Sequence, residues 1–163
     1  MKIAIIGQPN SGKTTLMESY LCEYSQFILL DTTCMENKSI MNRKPELFNK
    51  IYRIHNSDDI NVIFFNENKI GMDLSYLLER VLEARDNSSN DFYLRYSRYE
   101  RTLNMVSEKI YNEVENKKCL AMDEIELTNG IVNLVEVFDD VFYCNHNISD
   151  ENRNMFDRIF VCY

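Results

Sequence analysis

The sequence predicts an α/β domain of three layers, with a mostly parallel central sheet between helices. Three observations predict it. Short apolar runs alternate with segments of helical period along the chain. A glycine-bracketed loop at residues 7 to 14 follows one apolar run and precedes a helical pattern. Far downstream, another apolar run ends in two consecutive acids, Asp123 and Glu124.

The elements follow in order. Lys2-Ile3-Ala4-Ile5-Ile6 is apolar and β-prone and reads as the first strand. Thr15 to Cys22 reads as a helix with Leu16, Tyr20 and Leu21 near one face. Phe27-Ile28-Leu29-Leu30-Asp31 is a second strand ending in a carboxylate. Residues 32 to 50 are polar and mixed, a loop with a short helix after Pro45. Ile51 to His55 and Ile60 to Phe65 flank the turn cluster Asn56-Ser57-Asp58-Asp59, as a strand pair or as a strand and its approach. Leu74, Leu77, Leu78, Val81 and Leu82 recur at helical spacing, which predicts an amphipathic helix over 73–85, and 86–91 is then a mobile loop. Leu103, Val106, Ile110 and Val114 mark a second long helix ending near Asn116-Lys117-Lys118, where cations suit the C-terminal dipole. A strand at Cys119 to Met122 follows, then a short helix around Ile131 to Phe138, a strand at Val141 to Cys144, a loop, and a last strand at Ile159 to Tyr163.

The 163 residues suit one domain, 1–163, with room for a real core. The net charge of −8 excludes a generic nucleic-acid coat, because such binding neutralises phosphates with Lys and Arg. Any DNA contact must use a local basic patch. The five cysteines, Cys22, Cys34, Cys119, Cys144 and Cys162, are odd in number and dispersed, without a C-x-x-C pair. They read as reduced thiols of an intracellular protein, not as a disulfide framework or zinc site. The strand pattern from residue 2 and the lack of a long apolar stretch lead to the expectation of a cytoplasmic protein with no signal peptide or membrane span.

Gly7-Gln8-Pro9-Asn10-Ser11-Gly12-Lys13-Thr14 matches the G-x-x-x-x-G-K-[ST] phosphate-binding loop without a break. The glycines let the backbone wrap closely around phosphates, with amides pointing inward and the positive end of a helix behind them. Lys13 would reach the β- and γ-phosphate oxygens, and Thr14 would ligate Mg²⁺. Thr15 completes the expected nucleotide-binding set. A chance glycine-rich turn is the bland alternative, and the strand–loop–helix context argues against it.

Asp123-Glu124 after four apolar residues reads as a Walker B element. Asp123 would hold Mg²⁺, and Glu124 would polarise the water that attacks the γ-phosphate. The alternative is a strand that ends in two solvated acids. The pair also separates classes. A GTPase needs D-x-x-G, but Glu126 stands three residues after Asp123; it also needs N-K-x-D, but Asn147-Ile148-Ser149-Asp150 lacks the lysine. Asp-Glu instead suits ATPases in which an additional strand, here Val141 to Cys144, lies between the Walker A and Walker B strands. A polar residue at that strand's end senses the γ-phosphate, and Asn145 and His146 occupy that end.

Taken in order, these segments resemble the HerA/FtsK class of DNA-pumping ATPases, viral genome-packaging type. The resemblance implies a P-loop NTPase fold, RecA-like, of the additional-strand, catalytic-glutamate type. Its marks are the Walker A strand, Leu30-Asp31 at the second strand end, Asp123-Glu124, the strand end at Asn145-His146, Ser149-Asp150, Arg153 and the final strand Ile159 to Val161. By that match His146 takes the sensor position of a class that commonly carries Thr-Gln or Thr-His there; the departures are a sensor that is not Gln and a chain shorter than most members. Arg153 stands where the class often carries an arginine that completes a neighbour's site in a ring. The implied catalytic set is Lys13, Glu124, His146 and Arg153, with Thr14 and Asp123 for the metal. ATP and Mg²⁺ are the implied ligands, and a homo-oligomeric ring acting on double-stranded DNA is the implied assembly.

Tyr93 to Arg101 interleaves tyrosines with Arg95, Arg98 and Arg101. At i, i+3 and i+6 these arginines fall along one helix face and could touch a nucleic-acid backbone, act in trans, or close over phosphates as in a nucleotide kinase. A solvated helix face is the plain alternative. The competing functions are a nucleoside or nucleotide kinase using the same loop, and a nucleotide-switched binding module.

Overall fold

The computed structural model describes residues 1–31, 48–54, 60–65 and 92–163. Its elements run β1 (Lys2–Gly7), α1 (Lys13–Leu21), β2 (Ile28–Asp31), β3 (Phe48–Ile54), β4 (Ile60–Phe65), α2 (Phe92–Glu113), β5 (Cys119–Asp123), α3 (Asn129–Val137), β6 (Asp140–Asn145), α4 (Asp150–Arg153) and β7 (Arg158–Cys162).

The strands form one sheet in the order β3-β4-β2-β5-β6-β1-β7. β2, β5, β6, β1 and β7 are mutually parallel. β4 joins β2 antiparallel, and β3 joins β4 antiparallel. The parallel strands are apolar because helices cover both faces. In β1, Ala4 and Ile6 face a core built with Leu103, Val106 and Ile110 of α2 and Ile131, Leu134 and Val135 of α3. Ile3 and Ile5 face the other core, with Met17 and Leu21 of α1. The period of two along each strand thus feeds two apolar layers. Fully burying each such side chain contributes roughly 1.5–3 kcal/mol.

The structure bears out some of these expectations and refines others. Leu16, Tyr20 and Leu21 do share a face of α1 and pack on one core, but the buried residues are Lys13, Met17, Glu18 and Leu21. The i, i+4 row Lys13, Met17 and Leu21 faces the sheet. Leu16 and Tyr20 flank it, and Tyr20 stacks on Phe142 with ring centroids 5.0 Å apart. The loop assigned to 32–50 ends earlier, because β3 already starts at Phe48. The two runs around Asn56 to Asp59 are an antiparallel strand pair. The segment after β6 contains the four-residue helix α4, with Asp150 and Glu151 in its first turn and Arg153 in its last, as its dipole favours. α2 stops at Glu113, and Lys117 Nζ donates to the Val114 carbonyl at 2.6 Å, the expected cation at a helix C-terminus.

The short helix after Pro45, the helix over 73–85 and the loop 86–91 lie outside the described residues, as does Cys34. Cys22, Cys119, Cys144 and Cys162 form no disulfide among the described residues. Among the described residues no helix is long and apolar enough to cross a membrane.

At Gly130, α3 packs tightly against α2. Its amide donates to Asn104 Oδ1 at 2.9 Å. A Cβ there would stand 2.7 Å from that oxygen and 3.0 Å from Asn104 Cα and Ser107 Cβ. Gly130→Ala is therefore predicted to destabilise the fold by ~1–3 kcal/mol, from overpacking at a helix contact. Urea unfolding measures it, and an unchanged midpoint would contradict the packing described.

Candidate phosphate and metal site

The C-terminal ends of β1, β2, β5 and β6 share one edge of the sheet, where ligands of open parallel sheets bind. The glycine loop grows from β1 at this edge. It turns through Gln8–Gly12 and enters α1 at Lys13. Two residues take left-handed backbone: Asn10 at φ 62° and Gly12 at φ 91°. Asn tolerates this region, and Gly carries no Cβ penalty there. Gly7 is required for another reason. A Cβ on it would lie 2.5 Å from the Cys162 carbonyl oxygen of β7 and 2.7 Å from Ser11 Oγ.

The loop closes on itself through Ser11 N–H to the Gln8 carbonyl at 3.3 Å. Gly12 is the N-cap of α1; no side chain caps that end and no acid sits in its first turn. The first amides and the positive end of α1 therefore face a cleft of ≈ 410 Å³ lined by Pro9, Asn10, Gly12, Lys13, Thr14, Thr15 and Glu124. This is a shape and polarity suited to an anion.

Lys13 is 6% exposed, and its Nζ donates to the Gln8 carbonyl at 2.8 Å. A buried ammonium needs such a partner. Thr14 Oγ1 donates to Asp123 Oδ2 at 3.0 Å, across 109 residues of sequence. The pairing follows from the topology. β6 separates β1 from β5, and Asp123 stands in register with Cys144, which stands in register with Ile5. Cys144 Sγ lies 3.5 Å from the Lys13 carbonyl, directly beneath the first turn of α1. Cys119 and Ala121 of β5 face the α1 core. By the same alternation Asp123 faces α1, where Thr14 meets it.

Glu124 departs from the strand. Its φ is 57°, uncommon for a residue with a Cβ. Leu120, Met122 and Ile125 all pack in the α2–α3 core. Strict alternation would have sent Glu124 to that side. The left-handed residue resets the pattern, so Ile125 is buried and Glu124 is turned out to the cleft. Its amide still donates to the Cys144 carbonyl at 2.9 Å. Glu124 Oε1 lies 3.2 Å from His146 Nε2, with both side chains substantially exposed. Such a pair orients groups more than it stabilises them.

The two candidates at the end of β6 therefore separate. His146 reaches Glu124. Asn145 is bound into the fold: its Nδ2 donates to the Ile125 carbonyl at 3.2 Å and to Tyr143 Oη at 2.8 Å. Arg153 lies on α4, exposed and paired with Asp150 at 3.3 Å, and is not among the residues lining the cleft. Arg95, Arg98 and Arg101 all fall within α2, and Arg101 is exposed.

Two residues were not assigned roles from sequence. Asp31 is fully buried at the end of β2, in register with Asp123. Its signal was the same as that of Asp123, a carboxylate ending an apolar run. Tyr143, 3% exposed, is the anchor for Asn145, and nothing in its sequence context marks it. Among the described residues no three His, Cys, Asp or Glu side chains gather as a metal cluster. A hydroxyl beside one carboxylate, Thr14 with Asp123, would suit a cation that keeps several waters, as Mg²⁺ does.

Thr14→Val keeps the side-chain shape but removes the donor to a buried carboxylate. It is predicted to cost ~1–2 kcal/mol in urea unfolding. Asp123→Asn in the Thr14→Val background should cost less than in the wild type, with a coupling of ~1 kcal/mol. Additive losses would contradict the contact. No family profile, curated protein or solved structure matches the chain.

Proposed function

We propose that the chain is a P-loop NTPase of the additional-strand, catalytic-glutamate type that binds ATP with Mg²⁺ and hydrolyses it. The Thr14–Asp123 hydrogen bond is the observation that carries the reading. It joins the end of the phosphate loop to the Walker B carboxylate, as a shared metal requires. The order β2-β5-β6-β1-β7, with β6 between the two motif strands, supports the same reading.

Mg²⁺ fits the oxygen pair of Thr14 and Asp123, and when bound supplies charge neutralisation at the β- and γ-phosphate oxygens. The residues of the chain do the rest. Loop amides and the α1 N-terminus hold the phosphates. Lys13 exchanges the Gln8 carbonyl for phosphate oxygens, so the ammonium is satisfied in both states. Glu124, on the cleft wall, accepts a proton from the attacking water. The bond from the γ-phosphorus to the β–γ bridging oxygen breaks, and ADP and phosphate leave. His146 fixes the Glu124 carboxylate from the neighbouring strand end.

The wider role rests on the resemblance to HerA/FtsK packaging ATPases. In that role the chain is a subunit of a ring that moves double-stranded DNA. Exposed Arg153 would serve a neighbouring subunit, and the strip Arg95, Arg98 and Arg101 would touch the DNA backbone of an otherwise acidic protein.

Glu124→Gln is predicted to lower kcat for ATP hydrolysis about 10²- to 10⁴-fold while ATP still binds. Steady-state phosphate release together with ATP-analogue titration checks this. Double-stranded DNA should stimulate the wild-type rate. A rate indifferent to both DNA and self-association would contradict the packaging role, and phosphoryl transfer to a nucleoside or nucleotide instead of water would favour a kinase.

A further inference from the structure

Glu124 sits in a backbone conformation that a residue with a Cβ holds only when its surroundings over-determine it. One constraint is its own amide, bound to the Cys144 carbonyl at 2.9 Å. A second acts one residue later, where Asn145 Nδ2 holds the Ile125 carbonyl at 3.2 Å. The chain on either side of Glu124 is therefore tied to the same neighbouring strand, β6.

Asn145 uses its whole amide. Nδ2 has two hydrogens and two acceptors, the Ile125 carbonyl and Tyr143 Oη, and Oδ1 accepts from the His146 amide at 2.8 Å. One side chain thereby fixes the exit of β5 beside Glu124 and the exit of β6 at His146. Its base is firm. Tyr143 is 3% exposed and stacks on Phe156, with ring centroids 5.5 Å apart and planes at 21°. Burial raises the Tyr143 hydroxyl above its usual range, against the opposing hydrogen bond from Asn145, so it stays protonated at neutral pH. Asn145 itself is not among the residues lining the cleft.

We infer that Asn145 is a positioning residue: it locks the exits of β5 and β6 together and so presents Glu124 and His146 as one unit at the cleft. The γ-phosphate sensor position at this strand end is then divided between two residues, with His146 in contact with Glu124 and Asn145 acting behind both. The inference deepens the proposed ATPase and rests on that reading for its kinetic consequence, but not for its structural one.

The test compares wild type with Asn145→Ala, Asn145→Asp and Tyr143→Phe. Asn145→Asp keeps the size but cannot donate to the Ile125 carbonyl, and Tyr143→Phe retains every bond that ties Asn145 to the two exits. Amide hydrogen exchange is read first, because it requires no turnover. Asn145→Ala should speed exchange of the Glu124 and His146 amides about tenfold, the scale of one lost hydrogen bond, and Asn145→Asp should do so at Glu124 alone because its carboxylate still accepts from the His146 amide, with amides at the centre of β1 unchanged. Tyr143→Phe should have a smaller effect on the same amides. In ATP hydrolysis the two Asn145 variants should lower kcat about tenfold or more with KM and ATP-analogue affinity held within about twofold. Added to Glu124→Gln, they should lower the rate no further, as for residues that act as a unit. Unchanged exchange at Glu124 and His146 would overturn the inference, and so would normal kcat once exchange has risen. If the wild type hydrolyses no ATP, the ATPase reading fails, and exchange alone decides whether the lock exists.

Discussion

The contact between Thr14 and Asp123 is what the site depends on. It spans the width of β6 and ties the first turn of α1 to the end of β5. A neutral hydroxyl donating to a carboxylate with 1% exposure is a costly arrangement unless the fold holds both groups in place. The parallel register does so, aligning Asp123, Cys144 and Ile5 in one row beneath the helix. Loop, helix and carboxylate thus converge because of strand order, although they are remote in sequence.

Around that contact the site contrasts rigid and adaptable parts. Lys13 is buried, with its ammonium on a loop carbonyl that a stronger anionic acceptor could replace. Gly7 and Gly12 serve different needs: one yields space to the Cys162 carbonyl, the other adopts a left-handed φ. Glu124 is exposed and turned out of the strand pattern, reaching a histidine from the next strand. Asp123 is enclosed while its neighbour Glu124 meets solvent, which suits the proposed roles of metal ligand and base.

Much of this was legible in the sequence because the signals were local. The loop spacing marked Lys13 and Thr14, and apolar runs marked β1, β2, β5 and β6. What sequence could not supply were facts of pairing and facing. Leu16 and Tyr20 were rightly set near the face of Leu21, but only packing on the sheet shows that Met17 takes the fully buried place between them. Asp31 gains meaning only beside Asp123, a matter of strand register. Asn145 and His146 are adjacent and both polar, and only the face of β6 that packs with Tyr143 separates their roles. Glu124 could be picked as a base from its place after Asp123, but not the left-handed turn that points it at the cleft.

The central claim is that the loop, Thr14 and Asp123 together form one site for a nucleotide and its metal. Calorimetric titration of a non-hydrolysable ATP analogue, with and without Mg²⁺, into wild type and Lys13→Ala tests it most directly. The account predicts saturable binding that Mg²⁺ strengthens and that Lys13→Ala abolishes. Binding indifferent to both the metal and Lys13, or no binding at all, would contradict it.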